Sequence, residues 1–407
     1  MTQQVSPEHI IGRNRLIFLI WKRLETQSVR FLAERRIGKT SVLKKMASEP
    51  CSGFCPIYLD LEKVHSADRF VEVLLSGLKP LMSATDKAVS RFAELLRKFG
   101  GTEVGGMVKI PELGKRGWQN AIEETFRAVC ENNRDSRILL MLDELPYMLQ
   151  SIANHDRKAK ANENFALAIL DTLRAARHEH TNLRMIFCGS VGLHHVLNSL
   201  RNQQHASQPV NDMPGVEIHP LKMEDAVLLT LKLLDLEQVN VEPAKLAAIA
   251  NLIASQTDCV PFYIERVVNR LAEQDATVVE STIEQTIRRH LMDDKNDWEM
   301  DHFRQRLKIY YEGDVVGANN QPILRHLIAR RILDHIAIEN ESQSIDKVWN
   351  AMKAKFSLDD RDAVIELLSL LAQDHYLITD DQKHYTFRFP LIRRWWIISH
   401  GLNQGGK

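Results

Sequence analysis

The chain has 407 residues, more than a single hydrophobic core usually serves, so two or three domains are expected. Lysine plus arginine and aspartate plus glutamate both total 53, so the net charge is zero; this excludes a surface that is basic throughout, as a coat for nucleic acid would be, but leaves room for a local basic patch. Five scattered cysteines (Cys51, Cys55, Cys130, Cys188, Cys259) lack zinc-site spacing and read as reduced thiols, and neither a signal segment nor an apolar run of membrane length is visible, so a soluble cytoplasmic protein is expected.

In chain order, residues 10–15 precede an amphipathic helix over 16–24, and residues 29–32 form a short apolar strand. The segment Ala33-Glu34-Arg35-Arg36-Ile37-Gly38-Lys39-Thr40-Ser41 follows, and helical sequence resumes at 42–46. A second strand is expected over 56–61, then helical periodicity at 67–81 and 87–98. Two glycine pairs, Pro111 and Gly114 punctuate an extended apolar stretch, read as a hairpin insertion over about 100–116. A helix over 119–130 leads to the apolar run 137–142, which ends in Asp143 and Glu144. A helix over 161–178, a buried strand over 183–190 and a short strand over 216–218 complete this half. Strands alternating with helices imply a parallel, doubly wound α/β sheet. Beyond Met223 the pattern is all-helical (224–234, 243–255, 263–273, 280–291). The tail has helices at 323–338, 345–355 and 360–372, then strands at 376–379 and 384–389 joined by an Asp-Asp-Gln-Lys turn. Three helices followed by a β-ribbon read as a winged helix.

The stretch from Ala33 to Ser41 has the chemistry of a phosphate-binding loop. Between a strand and a helix, successive backbone N–H groups can turn inward and the helix N-terminus adds partial positive charge. Lys39 would reach the β- and γ-phosphates of a bound nucleotide, and the Thr40 hydroxyl would ligate Mg²⁺. Ala33 stands where such loops usually begin with glycine, and a methyl group there requires a negative φ. Asp143 and Glu144 end a strand buried on both faces, at the edge where open α/β sheets bind ligands. Asp143 would hold Mg²⁺ through water, and Glu144 would orient or deprotonate the attacking water.

Taken together, Gly12-Arg13, Arg35-Arg36-Ile37-Gly38-Lys39-Thr40-Ser41, Leu142-Asp143-Glu144, Leu173-Arg174, Cys188-Gly189-Ser190, Pro261-Phe262-Tyr263 and the segment from Phe387 to Trp396 resemble the archaeal-type ATPases, AAA+-like STAND proteins related to origin-recognition ATPases. The resemblance runs from about Ile10 to Trp396. It implies a P-loop NTPase core over 1–221, a helical lid over 222–300 and a winged-helix domain over 301–407. It further implies that Gly12 and Arg13 line the adenine side, that Ser190 is a sensor of the γ-phosphate, and that Pro261 belongs to the lid motif.

Arg174 and Arg177 follow the acidic strand tip on one helix; one could be an arginine finger for a neighbouring subunit, or both could be a solvated face. In the winged helix, the third helix carries Asp359, Asp360, Asp362, Glu366 and Asp374 against Arg361, which phosphates would repel. Lys383, His384, Arg388, Arg393 and Arg394 gather nearby, with Arg325, Arg330 and Arg331 on the first helix, so DNA could be met wing first; alternatively the module packs on protein, as Trp395-Trp396 suggests. Three functions are compatible with the sequence: an ATP-driven switch that acts on a protein partner or on its own assembly, a DNA-binding ATPase, and a nucleotide-holding scaffold without useful hydrolysis.

Overall fold

The computed structural model describes residues 10–82, 86–104, 107–111, 113–158, 164–189, 193–201, 208–274, 276–293, 297–317, 320–339 and 341–402. They fall into two compact units, Met1–His219 and Pro220–Lys407. No helix among the described residues is long and apolar enough to cross a membrane.

The first unit runs α1 (Asn14–Leu24), β1 (Val29–Leu32), α2 (Lys39–Ser48), β2 (Phe54–Asp60), α3 (Ala67–Leu78), α4 (Asp86–Lys98), β3 (Thr102–Val104), β4 (Met107–Lys109), α5 (Gly114–Asn132), β5 (Arg137–Asp143), α6 (Leu145–Lys158), α7 (Phe165–Glu179), β6 (Leu183–Phe187), α8 (Leu193–Arg201) and β7 (Gly215–Glu217). The main sheet has the order β2-β5-β6-β1-β7. Each of its pairings is parallel, as helical crossovers require. Strand β6 therefore lies between β1, which leads into the glycine-bearing loop, and β5, which carries the acidic tip.

The period of two along β5 decides where its acid goes. Ile138, Leu140 and Leu142 join the core shared with α3, α5, α6 and α7. Leu139 and Met141 are equally buried on the opposite face. Each such side chain contributes about 1.5–3 kcal/mol on burial, which explains an apolar run without polar alternation. Asp143 follows the parity of Leu139 and Met141. Tyr58, paired with Met141, and Asp60, paired with Asp143, share that face from β2.

The hairpin β3–β4 pairs Thr102 with Lys109 in antiparallel register. Its outer edge is satisfied by α3: Ser76 Oγ accepts the Val108 amide at 3.0 Å, and Glu72 Oε1 accepts the Ile110 amide at 3.1 Å. The helix expected from 161 begins at Phe165, where Asn164 caps it by accepting the Leu167 amide at 3.1 Å. Helices α6 and α8 were not expected from the sequence.

The second unit runs α9 (Met223–Leu236), α10 (Leu246–Gln256), α11 (Pro261–Ala272), α12 (Glu280–Leu291), α13 (Asp301–Tyr310), β8 (Asp314–Val316), β9 (Pro322–Leu324), α14 (Arg325–Ile338), β10 (Gln343–Ser344), α15 (Ile345–Phe356), α16 (Arg361–Gln373), β11 (Leu377–Thr379), β12 (His384–Phe387) and α17 (Pro390–Ser399). Strands β10, β12 and β11 form an antiparallel sheet in that order. The sequence reveals the last two; β10, two residues long, leaves no periodic trace. Trp395 and Trp396 are buried, and the Trp396 indole donates to Asp334 Oδ1 at 2.9 Å.

The cations proposed for DNA are largely committed inside this unit, which corrects the picture of a free basic cluster. Arg393 donates from Nε to the Ala337 carbonyl and from Nη2 to the Glu339 carbonyl, both at 2.8 Å, closing the C-terminal end of α14. Arg394 donates to Gln256 Oε1 at 2.5 Å and to the Gln256 carbonyl at 2.6 Å. Arg388 meets His375 Nδ1 at 3.1 Å. Arg325 pairs with Glu366 at 2.8 Å.

Asp258 clasps the corner between α10 and α11 to α17. Asp258 and Cys259 both take left-handed backbone, with φ of 53° and 55°. Asp258 Oδ2 accepts the amide of Leu391, in the first turn of α17, at 2.8 Å, so a remote carboxylate caps that helix. Burial pushes the Asp258 carboxyl up to about 6, against the opposing pull of the Leu391 amide and Arg394. Since the native chain then binds this proton more tightly than the unfolded chain, whose aspartates titrate near ~3.9, the contribution of Asp258 to stability is fully favourable below about 4 and declines as pH rises to about 6. Asp258→Asn keeps an oxygen for Leu391 and removes the titration. The thermal midpoint of wild type relative to this variant should fall between pH 4 and 6; a constant difference across that range would refute the assignment.

Candidate nucleotide site

The loop after β1 is shaped by two left-handed residues, Arg36 with φ of 72° and Gly38 with φ of 97°. Glycine takes this conformation freely, whereas Arg36 bears about 1–2 kcal/mol of local strain. Ala33 keeps a negative φ, which is the condition its methyl group requires. Gly38 is the N-cap of α2 and offers no side chain to cap it. The amides of Gly38, Lys39 and Thr40 have no hydrogen-bond acceptor among the described residues. A left-handed turn presenting open first-turn amides is an arrangement that accepts anionic oxygen.

Lys39 is buried, and its Nζ donates to the carbonyls of Ala33 at 3.2 Å and Glu34 at 2.8 Å, so its ammonium lies inside the curve of the loop. The Arg35 amide donates to Glu34 Oε1 at 2.7 Å. Arg13 is also buried. It donates from Nη2 to the Ile37 carbonyl and from Nη1 to the His219 carbonyl, each at 2.8 Å, after Gly12 turns with φ of 72°. This strap fixes the outer side of the loop. Ile37 is buried beneath it, and Ser41 follows in the first turn of α2.

The loop and the acidic strand tip meet. Thr40 Oγ1 donates to Asp143 Oδ2 at 2.7 Å. The Tyr58 hydroxyl donates to the same oxygen at 3.1 Å, and the Glu144 amide donates to Oδ1 at 3.1 Å. Asp143 is only 2% exposed, and these three donors hold it in one orientation. Burial, and then the neighbouring Asp143 and Asp60 charges, push the Tyr58 phenol well above its ordinary value, so it stays a donor. Cys188 lies beside the same carboxylate; its thiol is pushed well up by complete burial and by Asp143.

Glu144 leaves the strand with a left-handed φ of 56°. Its carboxylate lies near Gly189: a Cβ built there would be 3.5 Å from Glu144 Oε2 and 2.6 Å from the Pro146 ring. Only glycine fits at that point on the exit of β6. Neither this approach nor Tyr58 was anticipated. The period-two pattern puts Tyr58 and Asp60 on one face, but which oxygen Tyr58 meets depends on the β2–β5 register, which the sequence does not print.

Other expected site residues are placed differently. Ser190 lies outside the described residues. Pro261 is the first residue of α11, in the second unit. Arg174 is on α7, half-buried, and donates to the Gln208 carbonyl at 3.1 Å. Arg177 is not available as a finger: its side chain is 3% exposed, grips Asp212 through Nε at 3.1 Å and Nη2 at 3.0 Å, and lies over the Phe187 ring.

The residues present fit a magnesium-bound triphosphate. The open amides and Lys39 suit phosphate oxygens, and Thr40 with Asp143 forms an all-oxygen pair of the kind Mg²⁺ takes.

No family model and no curated protein matches the chain. Among solved structures, a Walker-type ATPase of Pyrococcus abyssi is similar over 97% of this chain and 98% of its own, with a TM-score of 0.63 at 14% identity. Drosophila ORC bound to DNA aligns over 96% and 95%, with a TM-score of 0.41 at 13% identity. The RuvB Holliday junction branch migration motor of Thermotoga maritima aligns over 94% of each chain, with a TM-score of 0.38 at 13% identity. The parallel sheet, the loop that opens α2 and the similarity to the Pyrococcus protein give this chain the fold of a P-loop ATPase.

Proposed function

We propose that the chain is an AAA+/STAND-type ATPase that uses nucleotide state as a switch for partner binding or self-assembly. The observation that carries this is the 2.7 Å contact between Thr40 and Asp143, which joins the phosphate-type loop to the acidic strand tip. In this reading the amides of residues 35–41 and Lys39 bind the phosphates of ATP, and Thr40 and Asp143 hold Mg²⁺. Bound magnesium would supply charge neutralisation at the phosphates. Lys39 exchanges its two loop carbonyls for phosphate oxygens. Tyr58 keeps Asp143 turned toward Thr40. Glu144 takes the proton of the attacking water, and Ser190 feels the γ-phosphate.

Gly12 and Arg13 shape the adenine side, with Arg13 also bracing the loop. In the second unit, residues 222–300 with Pro261 serve as the lid and residues 301–407 as a winged helix. Arg174, half-buried on α7 with one guanidinium nitrogen on the Gln208 carbonyl, is the arginine that a neighbouring copy could receive. DNA is the less favoured partner, because Arg393 and Arg394 are spent on carbonyl groups and α16 is acidic.

Light scattering on the purified chain tests the switch. Its mass should differ between a slowly hydrolysed ATP analogue and ADP, or a partner should bind in one state only. An identical mass and identical partner binding in both states would reject the switch. Duplex binding with a steep salt dependence would replace it by the DNA reading.

A further inference from the structure

Glu34 is buried to 4% exposure within a loop built to attract negative charge. Its Oε1 accepts the Arg35 amide at 2.7 Å, within the range of charge-assisted hydrogen bonds. Its backbone carbonyl is the nearer of the two acceptors of Lys39, at 2.8 Å. One residue thus engages both an amide of the bend and the loop's ammonium group. A carboxylate in that position competes with any incoming anion for the amide, and it repels the anion through a poorly screened interior.

We infer that Glu34 is a specificity-determining residue of the loop, admitting polyphosphate and excluding lone anions. This rests on the reading of the loop as a phosphate site. A single phosphate ion reaches few of the loop's donors, so it cannot offset both the loss of the Glu34–Arg35 contact and the repulsion. A nucleoside triphosphate makes simultaneous contacts with the first-turn amides of α2, with Lys39 and with Thr40. It can displace the Glu34 side chain from the bend. The loop thereby distinguishes a nucleotide from abundant small anions by the number of contacts made at once.

The test is titration of the full chain with a fluorescent ATP analogue, competed by ATP, inorganic phosphate and adenosine. Glu34→Gln keeps the side-chain shape and can still accept the Arg35 amide, but only as a weaker neutral partner. ATP should bind this variant about ten-fold more tightly, since the charge-assisted bond is roughly twice as strong as the neutral one and the repulsion is gone. Inorganic phosphate should compete in Glu34→Gln at concentrations that leave wild type unaffected. Adenosine, which carries no phosphate, should compete equally in both; a loop that had merely lost its shape would not discriminate in this way. Glu34→Ala, which frees the amide entirely, should shift in the same direction. Unchanged or weaker ATP binding in both variants would overturn the inference. If Lys39→Ala binds the analogue as wild type does, the loop is not the phosphate site at all, and the underlying reading fails instead.

Discussion

Lys39→Ala is expected to abolish measurable ATP binding. The ammonium group is held inside the loop by the carbonyls of Ala33 and Glu34, so it is already positioned where phosphate oxygens would enter. Two charge-assisted hydrogen bonds to phosphate, at about 1.5–3 kcal/mol each, amount to roughly two to four orders of magnitude in affinity. The same contacts hold the loop closed on itself, so the substitution also relaxes the bend. Lys39→Met separates the two effects, because it keeps the buried aliphatic stem while removing the charge. Both variants should retain the thermal midpoint of the nucleotide-free wild type within a few degrees and lose the upward shift that ATP and magnesium give to wild type. Retention of that shift in Lys39→Met would place nucleotide elsewhere.

The meeting of the loop after β1 with the tip of β5 could be read from the chain because local chemistry fixes both segments. A strand, a left-handed glycine and Lys-Thr at a helix start specify the loop, and a strand buried from Ile138 onward places Asp143 at the C-terminal edge of the sheet. What could not be read depends on neighbours far apart in sequence. The roles of Tyr58 and Gly189 depend on the register of β2 with β5 and on how close the exit of β6 comes to Pro146. Arg177, Arg393 and Arg394 look like available cations in the sequence, yet the fold turns them toward Asp212, the end of α14 and Gln256. A guanidinium group is long enough to serve either solvent or a remote carbonyl, and nothing in its sequence neighbours decides between the two. Helix α6 starts directly after Glu144, with Leu145, Met148, Leu149 and Ile152 in the core, so its apolar spacing merges with that of β5. Strand β10 is only two residues long and exists because β12 pairs with it.

Glu144→Gln is expected to separate holding ATP from consuming it. The variant keeps what positions residue 144: its backbone amide still reaches Asp143 Oδ1, and the left-handed φ costs glutamine no more than glutamate. The gap left by Gly189 accepts an amide as readily as a carboxylate. Only the capacity to take a proton disappears. Loss of a general base typically lowers turnover by about 10²–10⁴-fold, so phosphate release from ATP should fall by that much while affinity stays within about two-fold of wild type. If the chain is a switch, the variant should remain in its ATP-bound assembly after wild type has reset, a persistence that light scattering would follow over time. A scaffold that merely stores nucleotide predicts the opposite: identical phosphate release and identical assembly in both proteins. Glu144 is the discriminating position because Asp143 beside it cannot take its role: three donors already fix both Asp143 oxygens, and its register faces Thr40.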